Sequence, residues 1–457
     1  MLECCKNRRK VMLERINSVL SGVGVPILLC LVGIFVSVRL KIFSLLRPRA
    51  LLAALRSGTG RGGVSSASAL CLALAGTLGV GNIVGVASAI YLGGAGAIFW
   101  MWVSALLAMG LKYAETVLAM RYRTVGKDGK PQGSAMLYIR AFFNSVGAKR
   151  TGAAVAAIFA VAFIFCSLTM GSMLQSGAAA QALEGVMGVP VCVTGVFIGL
   201  VTLLLCRRGT GGLLRLTGVL VPLMSVGFAV LSLAVIFKNA GKVGEVFSLI
   251  FTDAFSTRSV VGGVGGFAFM RAIRFGVMRG LLSNEAGCGT APVAHSMADC
   301  DDPARQGTFG IIEVFVDTIV LCTLTALSVL LEYDAAAVYG GRFMMMTVAA
   351  YSSALGAYAG YFLAAAVACF AFATVICWSH YGCSAVEYLG GGRRARGAFY
   401  VLYAISVVVG ACVPSQTLAW QISDLSMSVM TVINLFVLLT FSFKKEKVSK
   451  KKTKQQS

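Results

Sequence analysis

Apolar residues in this chain neither alternate with polar ones nor keep to one face of a helix; they run on all faces for stretches of about 20 residues. A helix needs about that length to cross the hydrocarbon of a bilayer. Eleven such stretches occur, at roughly 17–38, 66–91, 95–119, 152–184, 189–206, 213–238, 258–282, 307–331, 357–380, 398–414 and 418–442. The two-residue alternation of a membrane β-barrel is absent. Backbone N–H and C=O groups in lipid must then be satisfied within each segment, which only helices achieve. The pattern predicts an all-α integral membrane protein with eleven transmembrane helices.

Composition sharpens this picture. Of 457 residues, 58% are hydrophobic and 13% charged, where a soluble domain carries roughly 25% charged residues. A soluble enzyme and a disordered chain are both excluded. The formal net charge of +22 would suit nucleic acid on a water-soluble domain, but no stretch free of apolar spans is long enough to form one. The charge belongs to loops. With eleven spans the termini lie on opposite sides, and 28 of the 40 Lys and Arg fall on one side against nine on the other. That bias places the C-terminus in the cytoplasm and the N-terminus outside. Lys6, Arg8, Arg9, Lys10 and Arg15 run against it, so the N-terminal tail is the one segment that departs from the rule. This span ends in Val38-Arg39-Leu40-Lys41 without a small-residue cleavage site, so it reads as retained. The fourteen cysteines lie mostly within spans and imply no disulfide framework. Cys288, His295 and Cys300 match no zinc spacing.

No H-E-x-x-H, G-x-x-x-x-G-K-[ST] or G-x-S-x-G motif is present, so nothing points to an enzyme. The spans also hold too few polar residues to line a continuous channel. Transport remains, and the informative features are breaks in the apolar helices. The strongest is Gly76-Thr77-Leu78-Gly79-Val80-Gly81-Asn82-Ile83-Val84-Gly85 in the second span. Helix is poorly supported there, and a break within the bilayer frees N–H groups that suit a carboxylate and C=O groups that suit a dehydrated cation. Close helix packing through Gly81 and Gly85 fits the same residues equally well. A second cluster, Gly262-Gly263-Val264-Gly265-Gly266, opens the seventh span, five spans after the first. Matching breaks in two five-helix halves are the mark of an inverted repeat, here spans 2–6 and 7–11. Asp317 and Asp424 are acids within the membrane. Lys112 and Glu115, three apart on one helix, read as an interfacial pair. Glu285, Asp299, Asp301 and Asp302 read as part of a cytoplasmic loop.

The stretches Gly76–Arg123 and Ala272–Gln306, continuing through Gly307–Thr318, resemble the two signature blocks of the alanine/glycine:cation symporter family. A shorter stretch, Phe370–Gly382 with Glu387-Tyr388-Leu389, is similar to a third, and the likeness spans about residues 66–442. The resemblance implies a LeuT-type fold of one peripheral helix plus a five-plus-five inverted repeat. It divides the chain into an N-terminal tail, helix and basic linker (1–65), a transporter core (66–442, with repeats of about 66–238 and 246–442) and a basic tail (443–457). It implies import of a small neutral amino acid, alanine or glycine, driven by sodium or in some members by protons, with no cofactor beyond the coupling ion.

Carried over residue by residue, the family's substrate site falls on Gly79, Val80, Gly81 and Asn82 through their backbone, with Gln175, Thr374 and Trp378. Sodium would meet the carbonyls of Ala75 and Leu78 with the Thr374 hydroxyl, or that of Thr77 with the Asn82 side chain and Asp317. Several positions depart from the family pattern. Val80 replaces a threonine, Ser172 and Gly177 replace asparagines, and Ala373 replaces a serine. Met427, Ser428 and Ile433 stand where the family carries Asn, Gly and Pro.

Overall fold

The computed structural model describes residues 17, 20–42, 63–126, 129, 131–206, 209–255 and 264–443. The basic N-terminal residues, most of the basic linker, the tail from 444 onward, and Gly262 and Gly263 lie outside the described residues.

After a wide π-type turn at Leu20–Gly24, helix α1 (Val25–Arg39) forms the first apolar segment. The second segment is split. Helix α2 (Ser66–Thr77) and helix α3 (Val86–Gly93), the latter entered through a π-type turn at Gly81–Gly85, are bent by 55° at the glycine-rich break. There follow α4 (Gly96–Arg121), a two-residue hairpin pairing β1 (Thr124–Val125) with β2 (Pro131–Gln132), and α5 (Ala135–Ser145). A long segment comprises α6 (Lys149–Leu168), a π-type turn at Thr169–Leu174 and α7 (Gln175–Met187). Helices α8 (Val191–Cys206) and α9 (Gly209–Lys238) end the first half.

The second half opens with α10 (Val243–Ala254), α11 (Val264–Asn284) and the short α12 (Ala291–His295). Then come α13 (Pro303–Val314), a π-type stretch Phe315–Cys322, α14 (Thr323–Leu331) and α15 (Tyr333–Ala337). Helices α16 (Phe343–Leu355), α17 (Ala357–Tyr388), α18 (Arg393–Cys412) and α19 (Thr417–Phe443) complete the bundle.

Among the described residues, length and composition qualify eight helices to cross a membrane, or nine with the bent α2–α3 pair as one span. Two of the eleven expected spans fall short by these measures. Helix α8 has only 16 residues, and α11 carries Arg271, Arg274 and Arg279. Helix α16, a 13-residue apolar element, was not expected from the sequence.

The bundle is apolar on its outer face as well as in its core, and the interior also holds a set of buried polar side chains. On α9, Val219, Leu223, Val226 and Val230 recur every three or four residues and are each more than 60% exposed, a stripe suited to lipid. The interior holds Asn82, Gln175, Asp317, Thr374 and Asn434, all buried. Helix α17 runs through the centre against α2, α6, α7 and α9. Its position makes it the wall on which the α2–α3 break rests.

Candidate substrate and ion site

The break begins where α2 loses its regular pattern at Leu78, whose φ of −75° and ψ of 83° leave the helical region. The freed backbone groups are met by side chains from distant helices. The Val80 N–H donates to Oε1 of Gln175 at 3.0 Å, while the Gly79 N–H donates to Oδ1 of Asn82 at 3.2 Å and to the Thr77 carbonyl at 2.9 Å. From α17, the Thr374 hydroxyl donates to the Leu78 carbonyl at 3.1 Å and the Trp378 indole N–H to the Gly76 carbonyl at 3.1 Å. The close approach at Gly79 is steric as well as polar. A Cβ there would stand 2.5 Å from Gln175 Oε1 and 2.8 Å from Thr374 Oγ1, so any side chain at 79 would displace these two groups from the break. Gly79, Gln175, Thr374 and Trp378 therefore converge on one closed spot, although 95 or more residues separate the break from the other elements.

A second centre adjoins it through Asn82. The amide Nδ2 of Asn82 donates to the Asp317 carboxylate at 2.8 Å, to the Asp317 carbonyl at 3.1 Å and to Ser283 Oγ at 3.0 Å. Ser283 and Thr318 donate to the other carboxylate oxygen at 2.6 and 2.8 Å. Among the described residues the recorded hydrogen-bond donors to Asp317 are thus neutral, and none is a Lys or Arg. A buried acid held by neutral donors suits a small cation better than a structural ion pair does. Asp317 sits in the π-type stretch between α13 and α14, where the wider turn departs from the regular ladder, as is frequent at functional sites. Thr77 is placed beside these groups, its hydroxyl bonded back to the Ala73 carbonyl at 3.4 Å, and Ala75 is buried in the same turn of α2.

Trp378 is fully buried and packs edge-on against Phe163 and at a tilt against Tyr381, with ring centroids 5.8 and 5.7 Å away. It lies one helical turn from Thr374 on the same face of α17. The departures at 172 and 177 also acquire a physical account. Ser172 turns to Leu168 and Ser406, and the Gln416 amide occupies the space a side chain at Gly177 would need, donating to the Met173 and Gly410 carbonyls. Polarity lost at one position is resupplied from α18 and its following turn. With Ile433 in place of proline, α19 continues unbroken.

Two expectations need correction. The glycine cluster expected to open the second broken helix falls partly outside the described residues, while among those described the chain turns through positive φ at the end of α11, with Glu285, Gly287 and Gly289 at 53°, 86° and 78°. Residues 283–298 are buried almost throughout, so Glu285 does not lie in a solvated loop. Lys112 does not form an interfacial pair with Glu115. Its ammonium meets Glu313 at 3.0 Å with both side chains buried, and Glu313 also bonds His295 at 2.9 Å, which in turn bonds Gln306 at 3.0 Å. Glu115 instead accepts from the Gly289 N–H at 3.0 Å and from Asn434 at 2.5 Å. Sequence reasoning missed Ser283, Thr318 and this buried cluster. The alternating glycines in Glu285-Ala286-Gly287-Cys288-Gly289 were the available signal.

A large cavity of about 1540 Å³ opens along the other end of α17 past Ser379, His380, Glu387 and Arg396, and it includes none of the expected site residues.

Broken helices closing around a buried polar centre in a bundle of membrane-length apolar helices are the architecture of a membrane transporter. A model of the sodium:alanine symporter family matches residues 6–457. The chain belongs to that family. It is 35% identical over 439 residues to the sodium/alanine symporter AgcS of Methanococcus maripaludis, covering 94% of each chain. It is 33% identical over 400 residues to the amino-acid carrier protein AlsT of Bacillus subtilis, covering 87% of this chain and 82% of that one. Among solved structures, the manganese transporter of Eremococcus coleocola shares the fold at a TM-score of 0.51 with 15% identity, over 83% of this chain and 77% of that one. Membrane location, transport and amino-acid symport follow from the family.

Proposed function

We propose that this protein imports a small neutral amino acid, alanine or glycine, together with sodium by alternating access. What carries the reading is the convergence of Gly79, Gln175, Thr374 and Asn82 at the break. In the closed arrangement, Gln175 holds the Val80 N–H and Asn82 the Gly79 N–H. A substrate carboxylate entering the break takes over these donors, releasing Gln175 to bond the substrate amino group. Trp378 closes the space beyond a small side chain. Sodium is bound by the Ala75 and Leu78 carbonyls with Thr374, or by the Thr77 carbonyl with Asn82 and Asp317.

The core comprises residues 66–442 as two five-helix repeats of opposite orientation, with 1–65 peripheral and the 443–457 tail in the cytoplasm. This assignment counts α8 and α11 as spans, giving eleven, and puts the N-terminus outside in line with the Lys and Arg distribution. The proton-coupled variant of the same cycle would place the driving proton on Asp317. A passive channel is disfavoured by the buried, closed site.

The test is uptake of labelled alanine and glycine into proteoliposomes with an imposed Na⁺ gradient, repeated with choline in place of Na⁺. Accumulation that requires the gradient supports the proposal; accumulation driven undiminished by a pH gradient alone refutes sodium coupling.

A further inference from the structure

The buried charged cluster beside the site is not used by the cycle described above. Lys112 and Glu115 of α4, Glu285 in the break after α11, His295 of α12 and Glu313 of α13 are all 0–1% exposed. Their pairing is unequal. Glu313 takes the Lys112 ammonium and His295, and Glu115 takes a backbone N–H and the Asn434 amide. Glu285 is the least satisfied: neither carboxyl oxygen has a hydrogen-bond partner of normal geometry, and the one side-chain donor beside it is the Thr290 hydroxyl. An ionised carboxylate buried in that position has little to stabilise it beyond the Thr290 hydroxyl. Full ionisation would also set one ammonium against three carboxylates in a buried space.

The surroundings of Glu285 are specific. Lys112 and Glu115 of α4, Glu313 of α13 and Asp317 of the π-type stretch bear on it. So do the neutral thiols of Cys288 on its own segment, Cys166 of α6 and Cys377 of α17, and the Tyr381 phenol. Lys112 is the cation nearest in this group, and its ammonium is already committed to Glu313. Glu285 is also one of two non-glycine residues with positive φ among those described. That conformation costs roughly 1–3 kcal/mol and persists where the surrounding structure enforces it. The carboxyl is therefore held in the break itself, the segment that must rearrange if the second half opens.

We propose that Glu285 is a proton-binding site, occupied while the break is closed and vacated when the break opens to water, so that the carrier exchanges a proton at a position separate from Asp317. Asp317 is held by three hydrogen bonds from neutral donors, whereas neither carboxyl oxygen of the equally buried Glu285 has a hydrogen bond of normal geometry. The step involves only the O–H bond of the carboxyl. The proton goes to water on opening and returns from water on closing.

The inference rests on the transport reading of the site. Glu285→Gln, which mimics the protonated form, and the wild type are compared in proteoliposomes under a fixed Na⁺ gradient across a pH series. The wild type is expected to slow as pH rises, because closing requires a proton, and the variant to lose that dependence. A variant with the wild-type pH profile overturns the proposal. If the variant is inactive, infrared spectra of the purified proteins titrated with acid and base, without substrate, give the reading. A protonated-carboxyl band present in the wild type, missing in Glu285→Gln and shifted in Glu285→Asp supports the site; a band that persists in Glu285→Gln overturns it. Should Glu285→Gln fail to fold, the band shift in Glu285→Asp decides alone. Absence of Na⁺-driven alanine or glycine uptake in the wild type would count against the transport reading and leave the infrared test of Glu285 intact.

Discussion

Replacing Thr374 with valine removes one hydroxyl and keeps the shape of the side chain. In the structure that hydroxyl donates to two carbonyls, Leu78 at 3.1 Å and Phe370 at 3.0 Å. The Phe370 bond is expendable, because that carbonyl lies within the regular ladder of α17. The Leu78 carbonyl lies at the end of α2, where the ladder has ended, and both groups are buried. Leaving a buried carbonyl without its donor costs about 1–3 kcal/mol. If the same oxygen also faces the ion, the loss is paid in the Na⁺-bound state, and 1–3 kcal/mol corresponds to a shift of about 5- to 150-fold in an equilibrium constant. The expected result is a Na⁺ concentration for half-maximal alanine uptake raised by that factor in Thr374→Val and nearly unchanged in Thr374→Ser, which keeps the hydroxyl. The assay is initial-rate uptake in proteoliposomes over a Na⁺ series, with thermal unfolding in detergent as the control for folding. A well-folded Thr374→Val protein with wild-type Na⁺ dependence would refute the placement of Thr374 at the ion.

Gly79→Ala puts a Cβ 2.5 Å from Gln175 Oε1 and 2.8 Å from Thr374 Oγ1 and displaces both, so uptake per unit of reconstituted carrier should fall sharply in a folded protein. Trp378→Phe removes the indole N–H bond to Gly76 and opens space beside Thr374; since a methylene in an apolar pocket is worth ~1–3 kcal/mol of discrimination, selectivity should relax toward valine and leucine in competition assays while Na⁺ dependence survives. Lys112→Met leaves Glu313 buried without its ammonium, a change that costs about 3–5 kcal/mol. It should lower the unfolding temperature sharply, with partial recovery in the Lys112→Met, Glu313→Gln double variant.

The sequence by itself determined the class of protein and the place where its second span breaks. Unbroken apolar runs of bilayer length admit only helices in lipid, and three glycines with an asparagine between 79 and 85 weaken helix locally, so both features are written in adjacent residues. The family resemblance named Gln175, Thr374 and Trp378, and these do meet Gly79 and its neighbours. What meets what across the bundle was decided only by the tertiary structure. Asn82 bonds Asp317, 235 positions away, and Lys112 reaches past Glu115, one turn along its own helix, to Glu313. Helical periodicity sets which residues share a face but not which helix that face meets. The same limit hid Glu285. In a local reading, a charged residue after an apolar span marks a loop in water, and here the chain turns back through positive-φ residues and buries it. Whether such a charge lies in solvent or in a dry core depends on the helices packed over it, and no neighbour in the sequence carries that information.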